Sequence, residues 1–155
     1  MGSKIRYHTT GIPLFTQALR LKQSFPDSTI HIRRQRLVWE GILHPSLLSD
    51  KYHIRVEYRY GRRPIVIVYG DNLLRIDDPN LPHHFRVDPE RKRIQMCLHL
   101  PGEFTPRMLL TKTILPWAAE WLLHYEVWLA TNEWHGGGFH PAPRTPHRTQ
   151  RQHLE

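Results

Sequence analysis

The stretch Tyr52-His53-Ile54-Arg55-Val56-Glu57-Tyr58-Arg59-Tyr60 alternates apolar and polar residues without a break. A period of two fits an extended chain with one face buried and the other in water. Such a strand belongs to an antiparallel sheet, so the fold must build one around it. Residues 36–43 (RLVWEGIL) supply a strand before it, ended by His44-Pro45. Gly61-Arg62-Arg63 makes a short turn into Pro64, and residues 65–69 (IVIVY) follow as a strand apolar throughout, which predicts a central position. The expectation is a three-stranded meander with short connections.

Helical periodicity brackets this sheet. Residues 13–23 place Leu14, Phe15, Ala18 and Leu21 near helical spacing, with Gln17, Arg20 and Lys22 outside. The run from Ser24 to Ser28 breaks that helix. Residues 111–134 carry the longest helical pattern, with Ile114, Trp117, Trp121, Tyr125 and Trp128 three or four apart and Ala118, Leu122 and Leu129 widening the stripe. The tryptophans at 117, 121 and 128 read as core. Pro116 sits in the first turn, where proline is tolerated, and His135 with the three glycines after it is the expected end. Between sheet and long helix, residues 71–101 read as irregular. They hold a polar hairpin at 88–91 and a short strand-like run, 93–100 (RIQMCLHL), that contains Cys97. Helix, meander, irregular stretch and helix make an α+β chain.

The 155 residues suit one domain with a real core. Residues 1–138 are expected to form it, and 139–155, rich in Pro, Arg, His, Thr and Gln, to be a disordered basic tail. Five Trp, six Tyr and five Phe argue against a fully disordered protein. A single Cys excludes an intramolecular disulfide and a Cys-rich zinc site but leaves a reactive thiol open. The net charge of +8 leaves +2 in the last fifteen residues, so most of it is spread over the body. Spread positive charge attracts acidic partners of any kind. On the 52–60 strand the aromatics face away from the basic residues, which makes them core and not a base-stacking platform. A nucleic-acid partner therefore ranks last. No apolar run is long enough to span a bilayer or to act as a signal peptide, so the expected location is cytoplasmic, where the thiol stays reduced.

The order of these features resembles the ubiquitin-conjugating enzyme family, carriers that hold a protein as a thioester between activation and transfer. The resemblance rests on Trp39 with Gly41, on Tyr52-x-Ile54-x-Val56, on Pro64, on Pro82-His83-His84, on Met96-Cys97-Leu98 and on the helix beginning near Thr111. It covers roughly residues 10–135. A closer likeness is to the stand-alone conjugating proteins of bacterial cyclic-oligonucleotide anti-phage signalling systems (CBASS), whose C-terminal signature looks like residues 115–141. In that group the carried protein is a cGAS-like nucleotidyltransferase, linked through its own C-terminus. The resemblance implies a ubiquitin-conjugating-like fold and an acyltransferase that uses Cys97 to prime that partner, with a lysine-bearing protein as acceptor.

The sequence departs from the family at one place: the His-Pro-Asn motif is absent, and the aligned residues read Leu81-Pro82-His83-His84-Phe85. The Asn supports the active-site loop and the oxyanion, so another donor must serve. His84 is the first candidate and His83 the second, with Asn80 or backbone amides as alternatives.

Thioester exchange suits cysteine because a thiolate is a strong nucleophile at accessible pH. It needs no metal and no cofactor. The phosphate-binding GxxxxGK[ST] pattern is absent, and no His pair has metal-ligand spacing on a helix. Arg91, Lys92 and Arg93 before Cys97, and His99 after it, would favour the thiolate if they lie close. Glu103 or Asp88 could help deprotonate an incoming amine. Two other readings remain: an inactive binding module of the same fold, and a basic nucleic-acid binder. A lone cysteine is ordinarily a small buried hydrophobe; the ordered motifs around Cys97 favour the nucleophile.

Overall fold

A computed structural model describes residues 11–136. The tail expected from residue 139 lies outside them. Helix α1 (Leu14–Ser24) leads into β1 (Thr29–Arg33), β2 (Arg36–Leu43), β3 (Tyr52–Arg59) and β4 (Ile65–Tyr69). A hairpin of β5 (His84–Asp88) and β6 (Arg93–Met96) follows, and helix α2 (Ile114–Thr131) comes last. The six strands form one antiparallel sheet in the order β1-β2-β3-β4-β6-β5. The architecture is α+β, as expected, with a larger sheet than the expected meander.

Strand β3 follows its alternation. Tyr52, Ile54, Val56 and Tyr58 are buried, and the residues between them are half-buried or exposed. Strand β4 is central, with β3 on one side and β6 on the other. The sheet residues Trp39, Ile54, Val56, Val68 and Ile94 share one core with Ile114, Ala118, Leu122 and Tyr125 of α2. A Cβ added at Gly41 would lie 2.4 Å from the Trp39 ring, so a side chain at 41 would displace a fully buried tryptophan. The face turned away from the core carries ion pairs of Arg36 with Glu57 and of Arg55 with Glu40 and Glu57.

Two strands depart from the expected pattern. The segment after α1 forms β1, an edge strand with only Ile30 half-buried. It joins β2 through Arg34 and Gln35, both left-handed with φ of 49° and 60°. That is the backbone of a two-residue hairpin without the Asn-Gly that usually marks one. The supposedly irregular stretch holds the β5–β6 hairpin, whose pairing shifts register between His84 and Val87. The bulge and the polar edge hide the alternation. The strand-like run also stops early, because β6 ends at Met96 and Cys97 lies beyond it.

Helix α1 reverses two expectations. Phe15 is 74% exposed, while Gln17 is fully buried. The Gln17 carboxamide donates to the Met108 carbonyl at 2.8 Å and accepts from the Leu110 amide at 2.9 Å. It thereby satisfies two backbone groups of the irregular segment before α2, which no apolar side chain could do. Helix α2 ends three residues before the expected position. Asn132 takes the left-handed capping conformation (φ 63°), and its amide donates to the Trp128 carbonyl. Asn replaces the expected glycine in this role. Among the described residues no helix is long and apolar enough to cross a membrane.

Candidate active site

Cys97 follows directly on β6 and is 8% exposed. Its amide donates to the His83 carbonyl at 2.9 Å, and Trp121 Nε1 of α2 donates to the same oxygen at 2.8 Å. The carbonyl serves both donors from a residue in the left-handed region, His83 at φ 48°. That conformation costs a residue with a Cβ about 1–2 kcal/mol. Two hydrogen bonds of about 1 kcal/mol each offset it. Sheet hairpin, cysteine and long helix thus meet at one backbone oxygen.

A cavity of about 620 Å³ opens beside the sulfur. One wall is a single face of α2, where Trp117, Glu120, Trp121 and His124 recur at helical spacing. The opposite wall is His83 with Cys97 to Leu100, and Glu103 closes one side. Aromatic packing stiffens this lining: the His99 ring lies 5.4 Å from Trp117, and His83, Trp121 and His124 all pack on Trp134. Trp117, expected in the core with Trp121 and Trp128, is half-buried: it packs against the edge of the core and also lines the cavity. A single helix cannot turn every side of its aromatic stripe to one sheet.

The structure separates the two candidate histidines. His83 lines the cavity with Cys97. His84 opens β5 opposite Met96 and is outside that lining. Asn80 is exposed, and its amide is engaged by Asp78. Glu103 lines the cavity, where it accepts the Leu100 amide at 2.6 Å. Asp88 does not. It closes β5 at the hairpin turn, and its carboxylate accepts the Arg91 amide.

The basic residues just before Cys97 do not meet the condition of lying close to it. Arg91 and Lys92 occupy the hairpin turn and face Asp88 and Asp71. Arg93 opens β6 at the end away from Cys97; four residues of strand separate the two by about 13 Å. Burial holds the His99 imidazole below its ordinary range, and so in the neutral form at pH 7. The cation beside the sulfur is Arg63, from the β3–β4 turn. Burial pushes the Cys97 thiol up; the charge and hydrogen bond of Arg63 pull it down and only partly offset the burial. Arg63 also donates to the His99 carbonyl and stacks over Phe85, 4.8 Å from the ring centre. The signal for Arg63 lay in strand register: Ile67 pairs with Gln95, and the same register continued sets Arg63 opposite His99. That register could not be read before the β4–β6 pairing was known. Among the described residues, no group of three or more His, Cys, Asp or Glu is placed to hold a metal ion.

With this geometry in view, comparison with known families is decisive. The model of the Type II CBASS E2 proteins matches residues 17–141, most of the chain and all of the cavity lining. The chain belongs to that family. As a Type II CBASS E2 protein, it is an E2-like member of an anti-phage defence system. The likeness inferred from the residues around Trp39, Cys97 and α2 therefore holds at the level of the family. No curated protein matches the chain.

Proposed function

We propose that this CBASS E2 protein is an acyl carrier that forms a thioester through Cys97 and passes the acyl group to an amine. What supports the reading is the position of the only cysteine, held by the His83 carbonyl on the wall of a cavity large enough for a peptide end. In the first step the thiol loses its proton to solvent or a neighbouring base. The sulfur then attacks the carbonyl carbon of a partner's C-terminus that has been activated elsewhere, as an acyl adenylate or a thioester. The C–S bond forms, and the activating group leaves with the electron pair of the broken bond. In the second step an amine nitrogen attacks the same carbon. The C–N bond forms, the thiolate leaves, and the amine gives up a proton, for which Glu103 is a candidate acceptor lining the cavity. The partner proposed is a cGAS-like nucleotidyltransferase, and the acceptor a protein lysine. Of the two histidines, His83 is the better placed to stand where the family has its Asn.

The test incubates the protein with a cGAS-like nucleotidyltransferase of a CBASS system whose C-terminus is supplied as an activated thioester, and resolves adducts without reductant. Wild type forms a conjugate that thiols and hydroxylamine cleave, and Cys97→Ala forms none. A conjugate that survives in Cys97→Ala, or no thiol-sensitive conjugate in wild type, overturns the proposal. One observation favours a second reading, an inactive binding module: burial keeps the thiol protonated. On that reading, Cys97→Ala retains full protection against phage.

A further inference from the structure

The turn between β3 and β4 exposes Gly61, Arg62 and Arg63. Gly61 lies in the left-handed region (φ 75°), and the Arg62 amide closes the turn on the Arg59 carbonyl at 2.9 Å. Pro64 is buried and commits the chain to β4. Between them Arg63 is exposed, yet its guanidinium is held at three points. It donates to the carbonyl of His99, stacks over Phe85, and hydrogen-bonds the side chain of Cys97. A planar group with five donors can do all three together; a lysine ammonium cannot.

We infer that Arg63 is a catalytic residue of the Cys97 site: its guanidinium stabilises the thiolate that forms transiently, attacking in the first step and leaving in the second. The inference rests on the carrier reading of Cys97. Both steps pass through the same ion, so a single fixed cation serves both. In the first, the proton leaves the thiol and the sulfur lone pair forms the C–S bond, which removes the negative charge from sulfur. In the second, that bond breaks and its electron pair returns to sulfur beside the guanidinium. Arg63 is outside the cavity lining and reaches the sulfur from the β3–β4 turn, and the titratable groups that do line the cavity include none shown to supply this charge. His99 is held neutral by burial, and Glu103 and Glu120 oppose a thiolate.

The two ties to the loop, at the His99 carbonyl and at Phe85, could by themselves make Arg63 a fastener of the segment after Cys97. Charge on the sulfur separates the two roles. The chain has one cysteine, so iodoacetamide labelling of the full-length protein reads Cys97 alone. The rate is followed across pH by intact mass. Its midpoint reports the thiolate and its alkaline plateau reports access. Arg63→Ala is expected to move the midpoint to higher pH and to slow labelling about ten-fold at neutral pH. Arg63→Gln, which can still bond the carbonyl but lacks charge, should behave like Arg63→Ala, and Arg63→Lys should fall between them and wild type. Melting curves confirm that each variant folds. An unchanged midpoint in Arg63→Gln and Arg63→Ala overturns the inference. So does a shift in Arg63→Lys as large as in Arg63→Ala, which would make Arg63 a fastener. Failure of the carrier reading looks different: Arg63 variants shift the midpoint, but wild type forms no thiol-sensitive conjugate.

Discussion

The outer face of the sheet and the cavity beside Cys97 both gather ionisable side chains, and they treat charge in opposite ways. On the sheet, Arg36 meets Glu57 at 2.7 Å, and Arg55 meets Glu40 and Glu57 at 2.9 Å each. Burial raises the Glu57 carboxyl, but hydrogen bonds and charge from Arg55 and Arg36 outweigh it and leave the group below its ordinary range. In the cavity burial wins. It raises the Cys97 thiol against the pull of Arg63 and lowers the His99 imidazole. The difference is one of backbone. Neighbouring strands place opposite charges at fixed cross-strand positions, where each finds a partner. The cavity is built from a loop and a helix face, so its groups meet aromatic rings and desolvated, low-dielectric surroundings more than they meet charged partners. A perturbed group marks a functional site only with room for a substrate beside it, and here that room is at the cavity.

The comparison can be broken most directly at the cavity wall. Trp121→Ala removes a buried ring and the hydrogen bond to the His83 carbonyl, and should cost about 3–5 kcal/mol of stability in a urea titration. Cys97 should then label faster at every pH, because the loop that holds it is released. A loss below about 1 kcal/mol would mean that the cavity wall is not continuous with the core. On the sheet, Glu57→Gln should cost only about 1 kcal/mol, and high salt should erase most of that difference, because the pairs are partly exposed. A larger loss that salt leaves untouched would make the network part of the core.

The smallest effect is in the pH dependence of stability. The folded state holds the Cys97 proton more tightly than the unfolded chain does, so its contribution is present at neutral pH and lost as pH rises through the thiol range. Folded His99 binds its proton less tightly, so its contribution is lost as pH falls through the imidazole range. Cys97→Ser should flatten the alkaline limb and His99→Gln the acid one. A limb unchanged by its variant would remove that group from the desolvated set. The sheet network predicts neither slope near neutrality, since its carboxyl is ionised there.

Legibility followed the reach of the interaction that each residue makes. Strand β3 was plain because alternation is local, and α2 because its stripe repeats within one helix. Cys97 stood out as the only thiol, Glu103 as a near neighbour along the chain, and His83, ranked after His84, through the likeness of Pro82-His83-His84 to the family motif. Gln17 and Phe15 were misread because the partner of Gln17 is more than ninety residues away. β1 was missed because its turn uses Arg34 and Gln35 where the usual signal is Asn-Gly. Arg91 to Arg93 looked close to Cys97 because sequence separation was short, but an extended strand carried the charge away from the thiol. Arg63, thirty-four residues upstream, came close through the pairing of β4 with β6.

By itself, the sequence determined the α+β class, the central sheet, the long aromatic helix, the single thiol and the family likeness that the match over residues 17–141 bears out. The elements and the single thiol follow from periodicity and composition, which act over a few residues; the likeness rests on the order of motifs around Trp39, Cys97 and the long helix. Only the tertiary structure decided which charge meets the sulfur, which histidine shares its cavity, and that Trp117 lines that cavity. Those outcomes depend on register between distant strands and on the angle at which α2 crosses the hairpin. Burial then sets the protonation of Cys97 and His99, because desolvation belongs to the packed surroundings and not to the side chain.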